Sequence, residues 1–120
     1  MIGAIEGSFV TTIEGLSRDR SHPVQLAWLA KNVTQCGFCI PGMVMAAAVF
    51  LKKNHNPSED EIRAGITNLC RCGVYPRVVD AVLQAARVAR GDENVEAGAS
   101  PGTSPDEAAK RVPALTPTPQ

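Results

Sequence analysis

An all-α fold is the class the sequence predicts, and three observations predict it. Residues 1–90 hold no sustained apolar–polar alternation of the strand type. Four segments between residues 23 and 90 carry helical spacing or helix-end chemistry. The connections between them are short, so the helices pack as a compact bundle.

Residues 8–13 (Ser-Phe-Val-Thr-Thr-Ile) read as extended and lead into Glu14-Gly15-Leu16. The first helix opens at Pro23, whose fixed φ suits a first turn, with His22 before it. Val24, Ala27, Trp28 and Val33 give it one apolar face, and Trp28 is its core anchor. Met43–Leu51 is apolar on all sides and predicts a helix buried all round. Lys52 and Lys53 close it where cations favour the dipole, and Asn54–Pro57 ends it. Ser58 and Glu61 form a capping box for a third helix. Its predicted buried face is Ile62, Ile66 and Leu69. The fourth helix runs from about Pro76 to Arg90. Its expected polar stripe is Arg77, Asp80, Gln84 and Arg87, opposite Val78, Val79, Val82, Leu83 and Ala86.

The 120-residue chain has one domain's length, with 44% hydrophobic and 20% charged residues. From Gly91 the composition turns to Gly, Pro, Ser, Thr, Ala and acids. The expected organisation is a helical domain over 1–90 and a disordered tail over 91–120. Residues 1–90 hold 10 basic and 7 acidic side chains, and the tail holds 2 and 5. The chain's zero net charge argues against a nucleic-acid partner. Its longest apolar run is about half the ~18 residues of a membrane span. No basic-then-apolar leader opens the chain, so the expected location is cytoplasmic; a periplasmic location within an exported complex stays open. Aromatic residues are only 4%, and a small domain with a thin core often needs a staple.

The four cysteines offer that staple as two pairs, Cys36-Gly-Phe-Cys39 and Cys70-Arg-Cys72. Each pair precedes a predicted helix start marked by proline, Pro41 or Pro76. Both pairs therefore lie where unpaired backbone N–H groups and a positive dipole end are available. A thiolate cluster of net negative charge needs that environment, and Gly37 and Gly73 are expected to allow close backbone approach. Convergence of the two helix starts makes a pocket for one cofactor. A disulfide framework is disfavoured, because Cys70 and Cys72 are too close for a relaxed bridge. Structural zinc and an iron–sulfur cluster both remain open on spacing, although zinc favours C-x2-C on both sides. A thioredoxin-like role lacks its βαβ setting. Neither His22 nor His55 is expected to bind iron; His22 is a candidate cap, and Met43 and Met45 are core filling.

The residues around the cysteines add more than their spacing. His22-Pro23-Val24-Gln25, Gln35-Cys36-Gly37-Phe38-Cys39-Ile40-Pro41-Gly42-Met43 and Asn68-Leu69-Cys70-Arg71-Cys72-Gly73-Val74-Tyr75-Pro76-Arg77 resemble the C-terminal [2Fe–2S]-binding domain of molybdenum hydroxylase small subunits. Xanthine dehydrogenase, aldehyde oxidoreductase, carbon monoxide dehydrogenase and isoquinoline oxidoreductase belong to this group. Thr11 to Leu16 resembles the lead-in to that domain, and Cys-Gly-x-Tyr-x-Arg looks most like the isoquinoline 1-oxidoreductase alpha-subunit branch.

The resemblance implies a four-helix bundle with the cluster at one end and Cys36, Cys39, Cys70 and Cys72 as its four ligands. It matches Gln35 to the contact with the molybdopterin cofactor of a partner subunit, and Cys72 to the ligand nearest that pterin. It implies a non-catalytic electron-transfer subunit that relays electrons from the molybdenum centre of a large subunit. An FAD or cytochrome subunit, or a separate ferredoxin domain, is the implied onward carrier. Tyr75 is expected to pack over the cluster, and Arg71 and Arg77 to tune its potential or simply to lie on the surface. Two departures stand out. The plant-type ferredoxin domain with its C-x4-C-x2-C run is absent, which makes the chain a fragment, a split subunit or a truncated reading frame. Thr67 stands where the family usually has glycine. The alternative readings are a zinc-stabilised interaction module and a non-functional truncation.

Overall fold

A computed structural model describes residues 2–17 and 19–95, and these are helical with no strand among them. A 3-10 turn at Ile2–Ile5 is followed by α1 (Ile13–Leu16), α2 (Pro23–Ala30), α3 (Ile40–Lys53), α4 (Glu59–Gly65) and α5 (Tyr75–Arg90). Helices α2 to α5 are the expected four, and α5 packs against the other three. Residues 8–12 carry no regular structure, as an extended lead-in predicts. Ile13 departs from that reading: it begins the extra turn α1, whose Ile13 and Leu16 pack on the core beside α3.

The helix ends follow local chemistry. The His22 imidazole accepts the Val24 N–H at 3.3 Å and caps α2. The capping box at Ser58 is complete: Glu61 accepts the Ser58 N–H at 2.8 Å, and the Ser58 hydroxyl accepts the Glu61 N–H at 3.3 Å. Gly91 ends α5 in the left-handed region, φ +83°. Beyond it Glu93 folds back to accept hydrogen bonds from Gln84 and Arg87. The remainder of the tail expected to be disordered, from residue 96, lies outside the described residues.

Four details differ from the sequence pattern. Helix α2 stops at Ala30, so Val33 is buried beyond its end, after Asn32 has turned the chain with φ +50°. Helix α3 is one-sided: Met43, Val44, Ala47, Ala48 and Leu51 are buried while Val49 is exposed, because among the described residues no element covers its outer face. Helix α4 ends at Gly65 and Ile66 is extended, which breaks the i, i+4, i+7 repeat. Ile66 still reaches the core, but Leu69 is turned out and is 86% exposed. Gln84, expected on the polar stripe of α5, is buried at 8% exposure, because α2 and the folded-back Glu93 cover it.

The core is aliphatic, with Trp28 its one large aromatic side chain. Burying each such valine, leucine or isoleucine contributes about 1.5–3 kcal/mol. Val74 and Cys70 belong to the same cluster of buried side chains, so the core reaches the second cysteine pair and holds it from behind.

Candidate metal centre

Both cysteine pairs sit on tight turns that run directly into a helix. In the first, the Ile40 N–H donates to the Gly37 carbonyl at 3.3 Å, with Gly37 at φ +87°. In the second, the Gly73 N–H donates to the Cys70 carbonyl at 3.2 Å, with Gly73 at φ +73°. These dihedrals strain any residue with a Cβ. A Cβ at Gly37 would meet nothing closer than Thr34 at 3.9 Å, and one at Gly73 would meet nothing within 4 Å. Backbone conformation therefore calls for glycine at both positions, with no protein atom crowding either one.

The starts of α3 and α5 have no side-chain cap, and Pro41 and Pro76 occupy the second helical position. Beside α5, the N–H groups that face sulfur come from the loop before it and from its N-cap residue Val74. The Val74 N–H bonds to the Cys70 sulfur and, with those of Cys72 and Gly73 and the Cys39 thiol, holds the Cys70 thiol below its ordinary pKa. The Cys36 N–H does the same for Cys72, but the Cys36 thiol and partial burial outweigh it and leave Cys72 raised. Burial, then the neighbouring Cys70, raises Cys39. These influences trace a closed set of neighbours: Cys39 thiol with Cys70, Cys72 thiol with Cys36, and electrostatic contact between Cys70 and Cys72 and between Cys36 and Cys39.

The sequence's two cysteine pairs thus converge as four free thiols, and no disulfide joins them. They are graded in exposure, with Cys70 buried, Cys39 and Cys72 half-buried, and Cys36 exposed. Cys36, Cys39 and Cys70 open on a hollow of about 410 Å³ walled by Phe38, Leu69 and Tyr75. Among the described residues, no three His, Cys, Asp or Glu side chains are gathered as the ligands of one metal ion. The sulfurs stand as two neighbouring pairs, Cys39 with Cys70 and Cys36 with Cys72. Four soft sulfur donors, backed by N–H groups and apolar walls, suit a group that carries more than one iron.

The other site candidates fall in two places. Gln35 is exposed, immediately before Cys36. Arg71 lies at the hollow. Arg77 does not: its guanidinium donates to the Asn32 carbonyl at 3.1 Å and ties the first turn of α5 to the loop before Cys36. The cysteine segments also lie close together at Gly42, where a Cβ would stand 3.4 Å from the Asn68 side-chain amide. The hydroxyl of Tyr75 was not legible in sequence. It accepts the Cys70 N–H at 2.7 Å, five residues back, and no spacing rule announces such a bond.

A helical bundle that presents four convergent thiols at two helix starts defines a thiolate metal-cluster domain. The chain belongs to the [2Fe-2S] binding domain family, whose description its residues 12–83 match. It is 49% identical over 81 residues to the alpha subunit of isoquinoline 1-oxidoreductase from Brevundimonas diminuta, which covers 67% of this chain and 53% of that subunit. It is 41% identical over 90 residues to the aldehyde oxidoreductase of Megalodesulfovibrio gigas, across 72% of this chain and 10% of that protein. The crystal structure of the aldehyde oxidoreductase from Desulfovibrio desulfuricans superposes with a TM-score of 0.67 at 42% identity, over 71% of this chain and 10% of that one. The chain therefore spans about half the length of one relative and about a tenth of the others.

Proposed function

We propose that this chain is the electron-transfer iron–sulfur part of a molybdopterin-dependent oxidoreductase. Cys36, Cys39, Cys70 and Cys72 hold one [2Fe–2S] cluster, and a large subunit that binds molybdopterin covers it. The observation that carries the reading is the convergence of four thiols at two uncapped helix starts, with backbone N–H groups directed at sulfur. The C-x-C spacing of Cys70 and Cys72 favours a two-iron group over zinc, whose sites take C-x2-C on both sides.

When bound, the cluster supplies reversible uptake of one electron. The chain's own residues prepare the place. N–H groups of Cys72, Gly73 and Val74 stabilise negative charge on the Cys70 sulfur. The rings of Phe38 and Tyr75 and the Leu69 side chain line the hollow with apolar surface. Phe38, 95% exposed, and Leu69 together leave an apolar rim around the cysteines, of the kind a partner surface covers. Gln35 lies exposed beside that rim and is the proposed hydrogen-bonding contact to the partner's pterin, with Cys72 the nearest ligand to it. An FAD or cytochrome subunit, or a separate ferredoxin domain, takes the electron onward. No described helix is long and apolar enough to cross a membrane, and the proposed location is the cytoplasm.

Anaerobic reconstitution with iron and sulfide tests this reading. The expected product is red-brown, holds two irons and two inorganic sulfides per chain, and becomes paramagnetic on one-electron reduction. A colourless chain retaining one zinc would overturn it.

A further inference from the structure

We infer that Tyr75 is a positioning residue for the cluster: its hydroxyl, by accepting the Cys70 N–H, sets the reduction potential of the group that the four cysteines hold. The inference rests on the four-cysteine reading above. It starts from the backbone of Cys70, the most buried of the four at 7% exposure. Each of its polar groups is engaged by residues that follow it. Its carbonyl accepts the Gly73 N–H at 3.2 Å. Its sulfur lies beside the Val74 N–H. Its own N–H goes to the phenolic oxygen of Tyr75 at 2.7 Å.

That last bond decides where an N–H dipole points. A buried N–H needs a partner, and here the phenol supplies it. While the phenol holds it, the Cys70 N–H is withheld from sulfur. Without the hydroxyl, the buried amide either turns to a sulfur or stays unpaired with its positive end beside the cluster. Both outcomes favour the reduced, more negative state. Hydrogen bonds to the sulfurs and solvent access are recognised controls of iron–sulfur potentials. The Tyr75 ring meanwhile forms a common wall between the cysteine hollow and a neighbouring apolar hollow that includes Met43, Ile62 and Val79. Ring and hydroxyl therefore have separable tasks, the one excluding water and the other fixing the amide.

The test compares the full reconstituted chain with its Tyr75→Phe variant, which keeps the ring and removes the acceptor. The expected result is a higher reduction potential and an altered spectrum of the reduced cluster. Iron capture by a chelator should be about two- to tenfold faster, the range expected for one lost hydrogen bond of ~0.5–1.5 kcal/mol. Tyr75 is the chain's one tyrosine, so growth on 3-fluorotyrosine labels this position alone. Fluorine weakens the oxygen as an acceptor at nearly constant shape, and a smaller rise in potential is expected. This keeps the inference open to test if Tyr75→Phe does not fold. An unchanged or lower potential in iron-loaded chains overturns the inference, even if chelator capture quickens, because that pattern marks a structural role alone. Failure of the parent reading is a different result: wild-type chain that takes up no iron and sulfide.

Discussion

Replacing Gly73 by alanine separates two reasons for a glycine beside the second cysteine pair. A Cβ at this position has open space, with no atom within 4 Å. The cost of alanine is therefore that of φ +73° alone, about 1–2 kcal/mol for a residue with a Cβ. The usual gain from restricting the unfolded chain does not offset this where φ is positive. For a domain of this size, ~1 kcal/mol lowers Tm by about 4–8 °C. Asparagine tolerates the left-handed region better, so Gly73→Asn should lose less than half as much, although it is the larger residue. Valine should lose the most. The assay is equilibrium urea unfolding of the full chain under anaerobic conditions, followed by the fluorescence of Trp28, the chain's only tryptophan and a buried one. If Gly73→Asn is as damaging as Gly73→Val, size rather than conformation governs the position and the reasoning is wrong.

Other substitutions probe the supports of the site. Gly65→Ala places a Cβ into the edge of the Phe50 ring. The clash should exceed the helix-propensity gain and cost about 1 kcal/mol net, and Phe50→Leu in the same chain should relieve it in a double-mutant thermal melt. Ser58→Ala removes half of the capping box and should cost about 0.5–2 kcal/mol in urea unfolding. Leu69→Ser should change stability by less than about 0.5 kcal/mol because the side chain is exposed, yet weaken binding to a molybdopterin-bearing large subunit in a pull-down titration. His22 has its pKa lowered from 6.5 by burial and then by Lys52. Its neutral form is thus favoured in the folded chain, so its contribution is full above the unfolded value and falls as pH drops below about 6.5. His22→Asn should flatten the stability profile on the acid side of that value, and an unchanged slope in pH-dependent unfolding would count against the assignment.

The bundle was legible because most of its helix boundaries are written in local chemistry. Pro23, the Ser58–Glu61 box and Gly91 mark ends that neighbouring side chains and local backbone conformation specify. The cysteine site was legible for the same reason: both pairs stand immediately before helix starts, and the fold brings those starts together. What periodicity missed lies where a helix ends sooner than its apolar pattern. Leu69 continues the spacing of Ile62 and Ile66, but Ile66 is already extended, so the side chain emerges on the cysteine face. Gln84 was misplaced because its cover comes from Glu93, in a segment expected to lie free of the helix. The reach of Tyr75 back to Cys70 depends on the turn at Gly73, a tertiary fact that composition does not carry.

Iron X-ray absorption on the reconstituted full chain tests the central claim most directly. Four cysteines sharing one two-iron group predict an inner shell made only of sulfur, with a second iron close behind it, and loss of that pattern when any one of Cys36, Cys39, Cys70 or Cys72 becomes alanine. Nitrogen or oxygen in the inner shell, or a lone metal with no iron neighbour, would contradict it.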